Sequence, residues 1–311
     1  MQYWNEKTLL FKTETTYGVD AVPTGAANAI LATDVTLSAM EGQDVSRDLQ
    51  LPFHGAQGTV PTNVHSKLSF KVELKGSGAA GTPPVCGALL RACKCAEVIV
   101  AGTSVTYNRV SNPQSSATIY LNIDGTLYKL LGARGNVQLK VAAQGIIYLE
   151  FEFWGLFVEP AAQSKPTVTL GTQLSAFPLV ATSANTPVFT IGGTAHVLRS
   201  LSLNFGNTVE PRMLIGQEQI VSPMTAELLE ATINAVPLAT LNPFALARAS
   251  TTQAIVLQHG TVPGNICTLS VPRAQFRRPG PATQQQGIVE WPLSWVPLPN
   301  IGNDQLTLAF T

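Results

Sequence analysis

Much of the chain alternates apolar and polar side chains, which predicts antiparallel β-sheet with one solvent-exposed face. The clearest examples are residues 68–74 (LSFKVEL) and residues 147–153 (IYLEFEF). Residues 137–141 (VQLKV) precede the second of these, and residues 142–145 predict the hairpin turn between them. An Asp-Gly pair at 124–125 predicts another tight turn. The pattern indicates a mainly-β fold.

Two short helices are predicted, one in each half of the chain. In the first half, Thr82 is placed to cap the helix and Pro83 to occupy its first position. Apolar residues over 86–93 then recur at helical spacing and form one stripe. In the second half, Asn242 and Pro243 provide the same start signal. Each half therefore contains strands and one flanking helix.

A segment near the start recurs in the second half. Residues 37–47 read LSAMEGQDVSR and residues 201–212 read LSLNFGNTVEPR, with Leu, Ser, Gly and Val at the same spacing. Further matches follow in the same order, which predicts an internal duplication. They pair Gly55 and Val60 with Gly216 and Val221, Leu68 and Val72 with Leu229 and Ile233, 135–137 with 264–266, 144–146 with 286–288, and Trp154 with Trp295.

The duplication predicts two tandem domains. Residues 1–160 form the first, residues 161–190 form a linker rich in Ser, Thr, Ala and Pro, and residues 191–311 form the second. A short strand is expected within the linker at 167–170. The duplication also assigns residues 226–231 to a strand, although their composition favours a helix. Its inner face is predicted to carry Leu229, Ala231 and Ile233.

The charge content limits the classes of function. Charged residues make up 12% of the chain, whereas about 25% is typical of soluble domains. Such a surface suits burial against partners or further copies of the chain. Lys and Arg balance Asp and Glu at 19 each, without a basic arm to grip nucleic acid. We also expect neither a secretory signal nor insertion into a membrane.

The sequence resembles the major tail tube protein of a long-tailed, siphovirus-like bacteriophage. The resemblance lies in residues 9–38 (LLFKTETTYGVDAVPTGAANAILATDVTLS), the Gly-x-x-Val-x-Arg segment that follows, and residues 132–157 (GARGNVQLKVAAQGIIYLEFEFWGLF). The second half resembles this pattern more loosely. It has a longer loop at 272–287 and prolines near its last strands, at Pro292, Pro297 and Pro299.

The resemblance implies two tandem β-sandwich or half-barrel tube domains, each with a short flanking α-helix, and no catalysis or cofactor. Family members form rings whose inner strands join into one barrel, and the rings stack into a tube. The tube surrounds a tape-measure protein, meets tail terminator and distal tail proteins at its ends, and conducts genomic double-stranded DNA at ejection. A doubled domain favours trimeric rings with pseudo-sixfold symmetry over hexamers. The expected location is the virion tail, assembled in the host bacterial cytoplasm.

Two loops are hypothesised to contact the next ring. The resemblance implies that the long hairpin loop of the first half reaches a neighbouring ring, and its apolar side chains are costly to expose. Internal packing of this loop is the alternative. A second, Pro- and Gln-rich loop is assigned the same role, with an ordinary solvated loop as its alternative. The residues are Arg47, Asp48, Leu49, Gln50, Leu51, Pro52 and Phe53 in the first loop, and Arg277 and Arg278 in the second.

The polar face of the strands is the candidate channel lining. If the apolar side chains of the alternating strands point into the domain core, the intervening polar side chains point the other way. These carry both signs of charge, so DNA can slide past without being held by its phosphates. The candidate channel-facing residues are Lys71, Glu73, Gln138, Lys140, Glu150 and Glu152.

Two other functions stay open. Another virion component, such as a tail terminator or decoration protein, is the first alternative. A more remote one is a nucleotide-binding enzyme, because Gly76–Gly81 (GSGAAG) satisfies Gly-x-Gly-x-x-Gly. Against it, the preceding strand alternates and the predicted helix begins beyond the glycines. The cysteines lack zinc-site spacing and are interpreted as reduced thiols, with Cys86 and Cys93 in the helix core.

Overall fold

The computed structural model describes residues 3–311 and is built almost entirely from antiparallel strands. The prediction of a mainly-β fold is confirmed. The helices are α1 (Gly87–Ala92), α2 (Thr172–Ser175) and α3 (Pro243–Arg248). The first ten strands are β1 (Lys7–Thr13), β2 (Ala29–Ile30), β3 (Thr33–Ser46), β4 (Thr59–Glu73), β5 (Cys95–Val100), β6 (Ser104–Arg109), β7 (Ala117–Ile123), β8 (Thr126–Ala142), β9 (Tyr148–Phe157) and β10 (Ala161–Ala162).

The remaining strands follow the same antiparallel pattern. They are β11 (Val188–Ile191), β12 (Thr194–Ala195), β13 (Leu198–Asn204), β14 (Glu210–Leu214), β15 (Gln217–Val221), β16 (Leu228–Asn234), β17 (Thr252–His259), β18 (Cys267–Phe276), β19 (Thr283–Gln285), β20 (Ile288–Pro297) and β21 (Thr307–Phe310).

One sheet runs through both halves of the chain, in the order β3–β4–β9–β8–β13–β16–β20; we call it the long sheet. The halves join where β8 pairs with β13. Two bonds extend this ladder: the Phe205 amide donates to the Val137 carbonyl at 3.0 Å, and the Ala143 amide donates to the Arg199 carbonyl at 2.8 Å. In the described residues the sheet stays open, because β3 pairs with β4 alone.

A second connection between the halves lies at the end of the chain. Strand β21 pairs with β18 of the second half and with β6 of the first. Strand β6 belongs to a hairpin with β5 that follows α1, whereas α3 leads directly to β17. This hairpin therefore distinguishes the first half from the second and ties the two together.

The order of strand pairing repeats between the halves. β4 lies between β3 and β9, and β16 lies between β13 and β20. In this register, Leu68 lies opposite Phe153 as Leu229 lies opposite Trp295. Trp295 thus occupies the position of Phe153, and the predicted match of Trp154 with Trp295 is wrong by one residue.

Two further matches have opposite outcomes. In the first half, Gly135 lies opposite Phe153. In the second half, Trp295 takes the place of Phe153 and lies opposite Phe276, so Phe276 occupies the position of Gly135. The match of 135–137 with 264–266 is therefore wrong, because 264–266 lies in the turn before β18. The match at the hairpin turns is confirmed: Gln144 and Gln286 follow β8 and β19, and both have left-handed backbones with φ of 62° and 54°.

Alternate side chains of the long sheet point into the core, as the sequence pattern predicts. Phe70 lies between Phe151 and Phe153, with ring centroids 5.7 and 5.8 Å away. In the second half the fully buried Trp295 packs edge-on against Phe276, with centroids 5.4 Å apart. Residues 228–234 form a strand as predicted, with Leu229, Ala231 and Ile233 buried.

The two helix starts differ. Asn242 caps α3 as predicted, and its side chain accepts a hydrogen bond from the Ala245 amide at 3.0 Å. Helix α1 begins at Gly87 and not at Pro83. The reason is that Pro83 precedes Pro84, and a residue before proline is disfavoured in helical conformation. The predicted cap at Thr82 is therefore wrong.

The predicted linker lies against the first half. Residues 161–190 contain β10, α2 and the first residues of β11, but no strand at 167–170. There the Thr169 amide donates to the Gly25 carbonyl at 3.0 Å, and Val168 and Leu170 pack on a small apolar cluster that includes Leu10 and Tyr120. The segment is therefore docked on the first half at 168–170, and its last residues begin β11, which pairs with β17 of the second half.

A buried ion pair holds the halves together. Nε of Arg109 on β6 lies 2.8 Å from Oε1 of Glu227, and the residues are 3% and 8% exposed. Arg109 also donates to the Cys93 carbonyl at 3.0 Å and to the side chain of Asn207. Gln305 donates to Oε1 of Glu227 at 3.1 Å. These partners offset the desolvation of both charges.

We expect Arg109→Met to lower the free energy of unfolding by about 3–5 kcal/mol, because Glu227 would remain as a buried, unpaired charge. Urea denaturation measures this value. The control is Lys165→Met, which removes the Lys165–Glu6 pair, 43% and 48% exposed. Exposed pairs contribute less than about 1 kcal/mol. Equal losses in the two variants would contradict the structural role of Arg109.

Candidate assembly surfaces

The candidate channel residues lie on one face of the long sheet. Lys71 and Gln138 both lie opposite Glu150 across neighbouring strand pairs, and directly opposed residues share a face. Glu152 is two residues along β9 from Glu150, and the neighbouring Tyr148 lies opposite both Glu73 and Lys140. The structure therefore brings the whole predicted set together, on the side of the sheet away from the phenylalanine core.

Most charges of this face are held in ion pairs. Nζ of Lys140 lies 2.5 Å from Glu150, and Nζ of Lys71 lies 3.2 Å from Glu150 and 3.0 Å from Asp34. Partial burial raises the pKa of Glu150, but hydrogen bonds from Lys140 and Lys71 outweigh it and hold that pKa below its usual value. Nζ of Lys75 lies 2.5 Å from Glu73.

The same face continues into the second half with fewer charges. Across the β8–β13 join, Gln138 donates to the Ser202 hydroxyl at 2.7 Å and Asn136 donates to the side-chain oxygen of Asn204 at 2.9 Å. Beyond them, the exposed Glu230 lies opposite both Ser202 and Ser294. Hydroxyl and amide groups thus replace most of the lysines and glutamates of the first half.

The two loops predicted to contact the next ring lie in different places. Arg277 and Arg278 are exposed and follow β18. The Arg277 amide donates to the Ser294 carbonyl at 2.9 Å, so this segment runs beside β20. Arg278 lines a groove of about 690 Å³ over the join between the halves, together with Lys140 and Glu230. The structure therefore associates Arg278 with the polar face and not with the 47–53 loop.

The loop between β3 and β4 exposes its apolar side chains. Every residue from 47 to 58 is exposed, and the exposed fractions are 44% for Leu49, 40% for Leu51 and 67% for Phe53. Gln57 braces the loop, because its side chain both donates to the Leu49 carbonyl and accepts from the Leu49 amide, each at 2.5 Å. Within one chain the loop thus has no internal packing that would account for these residues.

A corresponding tip in the second half was missed by sequence reasoning. Strands β14 and β15 form a separate hairpin whose tip carries Leu214, 50% exposed, and the fully exposed Ile215. The available signal was the match of Gly216, next to Ile215, with Gly55. The halves therefore both present apolar residues at the tip of the corresponding hairpin.

The glycine-rich segment serves close packing between the halves. The Gly78 amide donates to the Gly264 carbonyl at 3.1 Å. A Cβ atom on Gly76 would lie 2.0 Å from the Gly264 carbonyl oxygen, which is a severe clash. The nearest helix, α1, begins only at Gly87. Gly76 and Gly78 are thus accounted for by backbone contact with the 264–265 turn, and Gly81 by its close approach to the backbone of residues 100–103.

The cysteines are sequestered in the core. The cysteines Cys86, Cys93, Cys95 and Cys267 are free and buried, and burial raises the pKa of Cys86 to about 12. Over residues 3–311, no three His, Cys, Asp or Glu side chains are grouped so as to hold a metal ion. Nor does that part of the chain include a helix long and apolar enough to cross a membrane.

These surfaces define a mainly-β protein with an open antiparallel sheet, a mixed-charge face and apolar hairpin tips. A family model described as phage tail tube protein matches residues 4–309. The chain therefore belongs to the phage tail tube protein family, whose members are structural components of the virion tail. The resemblance seen in the sequence is confirmed. A comparison with curated proteins found no match.

We expect Glu150→Gln to lower the free energy of unfolding by about 1 kcal/mol at neutral pH, since it removes two partly exposed ion pairs. The folded pKa of Glu150 lies below its unfolded value. Its contribution is therefore present above about pH 5 and lost as the pH falls through the folded pKa. Denaturation from pH 7 to pH 3 measures this, with Glu159→Gln on an exposed residue as the control. A difference that does not change with pH would contradict the assignment.

Proposed function

We propose that three copies of this chain close into a ring with pseudo-sixfold symmetry, and that stacked rings form the tail tube through which DNA is ejected. The observation that carries this proposal is the β8–β13 join. In the order of the long sheet, it is a contact between the last strand of the first half and the first strand of the second. A contact of this head-to-tail kind generates a ring when it is repeated around an axis.

The internal join provides a template for the contact between copies. Ile233 lies opposite Trp291 as Val72 lies opposite Leu149. When positions are counted from these pairs along the β8–β9 hairpin and the β19–β20 hairpin, Gln284 in the second half corresponds to Val141 in the first. Val141 lies opposite Leu201, which lies opposite Ala231, and Ala231 occupies the position of Phe70. Phe70 faces the part of β3 between Thr33 and Thr36. In the proposed ring, β3 of one copy therefore pairs with residues 283–285 of the next, with Asp34 and Val35 facing Gln284.

Both strands required for this contact have a free edge. Among the described residues, β3 pairs only with β4, and β19 pairs only with β20. Unpaired sheet edges favour pairing with another chain, and closure into a ring removes them. Each chain contributes two similar halves, so a ring with six equivalent domain positions needs three chains. Rings of six chains are the alternative.

The polar face of the long sheet is the proposed channel lining, and its charges suit a conduit. Lys71 and Lys140 both lie within 3.2 Å of Glu150, so their positive charge is largely neutralised. Phosphate groups of DNA therefore meet few unpaired cations, and strong binding would hinder passage. On this proposal, the same face surrounds the tape-measure protein before ejection, and terminator and distal tail proteins close the two ends.

We expect Gln284→Pro to abolish rings while the chain still folds. In the two-residue hairpin at 286–287, Gln285 and Ile288 bond each other, so the amide of Gln284 points to the free edge. Proline removes that donor and no bond within the hairpin. The control Gln284→Ala keeps the amide and should form rings. Electron microscopy and native mass spectrometry measure ring formation and the number of chains.

The number of chains per ring tests the proposed pseudo-sixfold symmetry separately from the edge contact. Rings of three 33.0 kDa chains are expected, whereas six chains per ring would contradict the pseudo-sixfold arrangement. Rings in Gln284→Pro as abundant as in Gln284→Ala would contradict the edge contact. Single rings that never stack would favour a tail terminator instead.

We expect a cysteine in place of Glu152 to become protected on assembly. The native cysteines are buried, so a thiol-reactive polymer too large for the channel reports on the introduced residue. Glu152→Cys should react with this polymer in unassembled chains and lose the reaction in tubes. Val98→Cys, on the exposed β5 edge outside the long sheet, is the control and should react in both states. Full reaction of Glu152→Cys in tubes would refute the channel assignment.

A further inference from the structure

An apolar pocket of about 260 Å³ lies where β4 ends. Both halves of the chain form its walls. Its apolar lining includes Leu31, Val72, Leu74, Val85, Leu179 and Val262.

The walls of the pocket are held by specific contacts. Nζ of Lys75 donates to the carbonyls of Gln173 and Ala176 at 3.0 and 2.7 Å, which keeps the segment after β10 against the end of β4. On the opposite side, the Gly78 contact with Gly264 brings the turn that carries Val262 to the first half. The pocket is therefore a built feature of the locked halves. None of the surfaces described above accounts for it.

The pocket and the 47–58 loop lie at opposite ends of one strand. The loop immediately precedes Thr59, where β4 begins, and Val72, Glu73, Leu74 and Lys75 at its other end line the pocket. Strand β4 has 15 residues, and at about 3.3 Å per residue it is roughly 50 Å long. An apolar projection and an apolar recess are thus separated along the strand direction.

We propose that this pocket binds the 47–58 loop of a second copy in the adjacent ring. The inference rests on the proposed stacking of rings and names the receiving surface. Leu49, Leu51 and Phe53 are exposed in the isolated chain, and the recess is lined by aliphatic side chains. A projection at one end that fits a recess at the other makes a head-to-tail contact. Such a contact does not close on itself but propagates, as a tube requires.

The rim of the pocket adds a second apolar contact. Phe177, whose side chain is 90% exposed, lies at the pocket together with Leu179 and Val262, which are 37% and 60% exposed. An exposed aromatic residue beside an apolar recess is unfavourable in a free monomer and is accounted for when a partner covers both. The incoming loop is braced by Gln57, so its apolar tip is already ordered before docking.

Val262→Asp tests the proposal, since this side chain is exposed in the chain and lines the pocket. A carboxylate there must be desolvated when the loop docks, so we expect rings to form and tubes to fall at least about tenfold. The matched control is Ile301→Asp, on a residue that is 89% exposed and outside the pocket. It should form tubes like the unmodified chain. Electron microscopy of purified protein counts rings and tubes.

A disulfide crosslink identifies the occupant of the pocket. The variant Phe53→Cys with Val262→Cys should give crosslinks that join one ring to the next, and each single variant should give none. The pair Ile215→Cys with Val262→Cys tests the other hairpin tip. Crosslinks from that pair alone would overturn the assignment to the 47–58 loop.

The outcomes separate this inference from the proposed function. Normal tubes from Val262→Asp would overturn the pocket inference and leave the tube function intact. Loss of rings as well as tubes in that variant would assign the pocket to ring closure and also overturn the inference. If the unmodified chain forms neither rings nor tubes, the proposed function fails, and this inference fails with it.

Discussion

The pairing of β8 with β13 is the contact on which the other surfaces depend. It fixes the two halves in one register, so that the charged face of the first half and the less charged face of the second become one continuous surface. Hydrogen bonds alone would leave the angle between the halves adjustable. The buried Arg109–Glu227 pair, which reaches the join through Asn207, and the pairing of β21 with β6 restrict that angle.

Local pattern predicted the elements well where one face of a strand is buried. Alternation at 68–74 and 147–153 identified both the strands and their polar faces, because the period of two depends only on neighbouring residues. It could not determine register across the repeat: Trp154 and Trp295 match by type, yet Phe153 occupies the corresponding core position. The pairing of β6 with β21 joins segments far apart in sequence and has no local signal.

The candidate surfaces were predictable to different degrees, for physical reasons. The 47–53 loop could be selected because apolar residues on a long connection are unfavourable unless a partner covers them. The side of the sheet on which Arg278 lies depends on the irregular segment between β18 and β19, which composition does not determine. The pocket was not predictable, since Leu31, Val72, Leu179 and Val262 come from four separate segments.

The differences between the halves follow from having both in one chain. A ring of identical single domains must use one sequence at every position, so a single loop and a single face must meet every requirement. Here the first half carries the paired lysines and glutamates, the long apolar loop and the β5–β6 hairpin, while the second carries a nearly uncharged face and a shorter hairpin. In the proposed trimeric ring, sectors with many charges and sectors with few therefore alternate around the channel. On this proposal, the ring on the loop side is met by three long and three short hairpin tips, so stacking contacts and channel chemistry are free to differ between alternate positions.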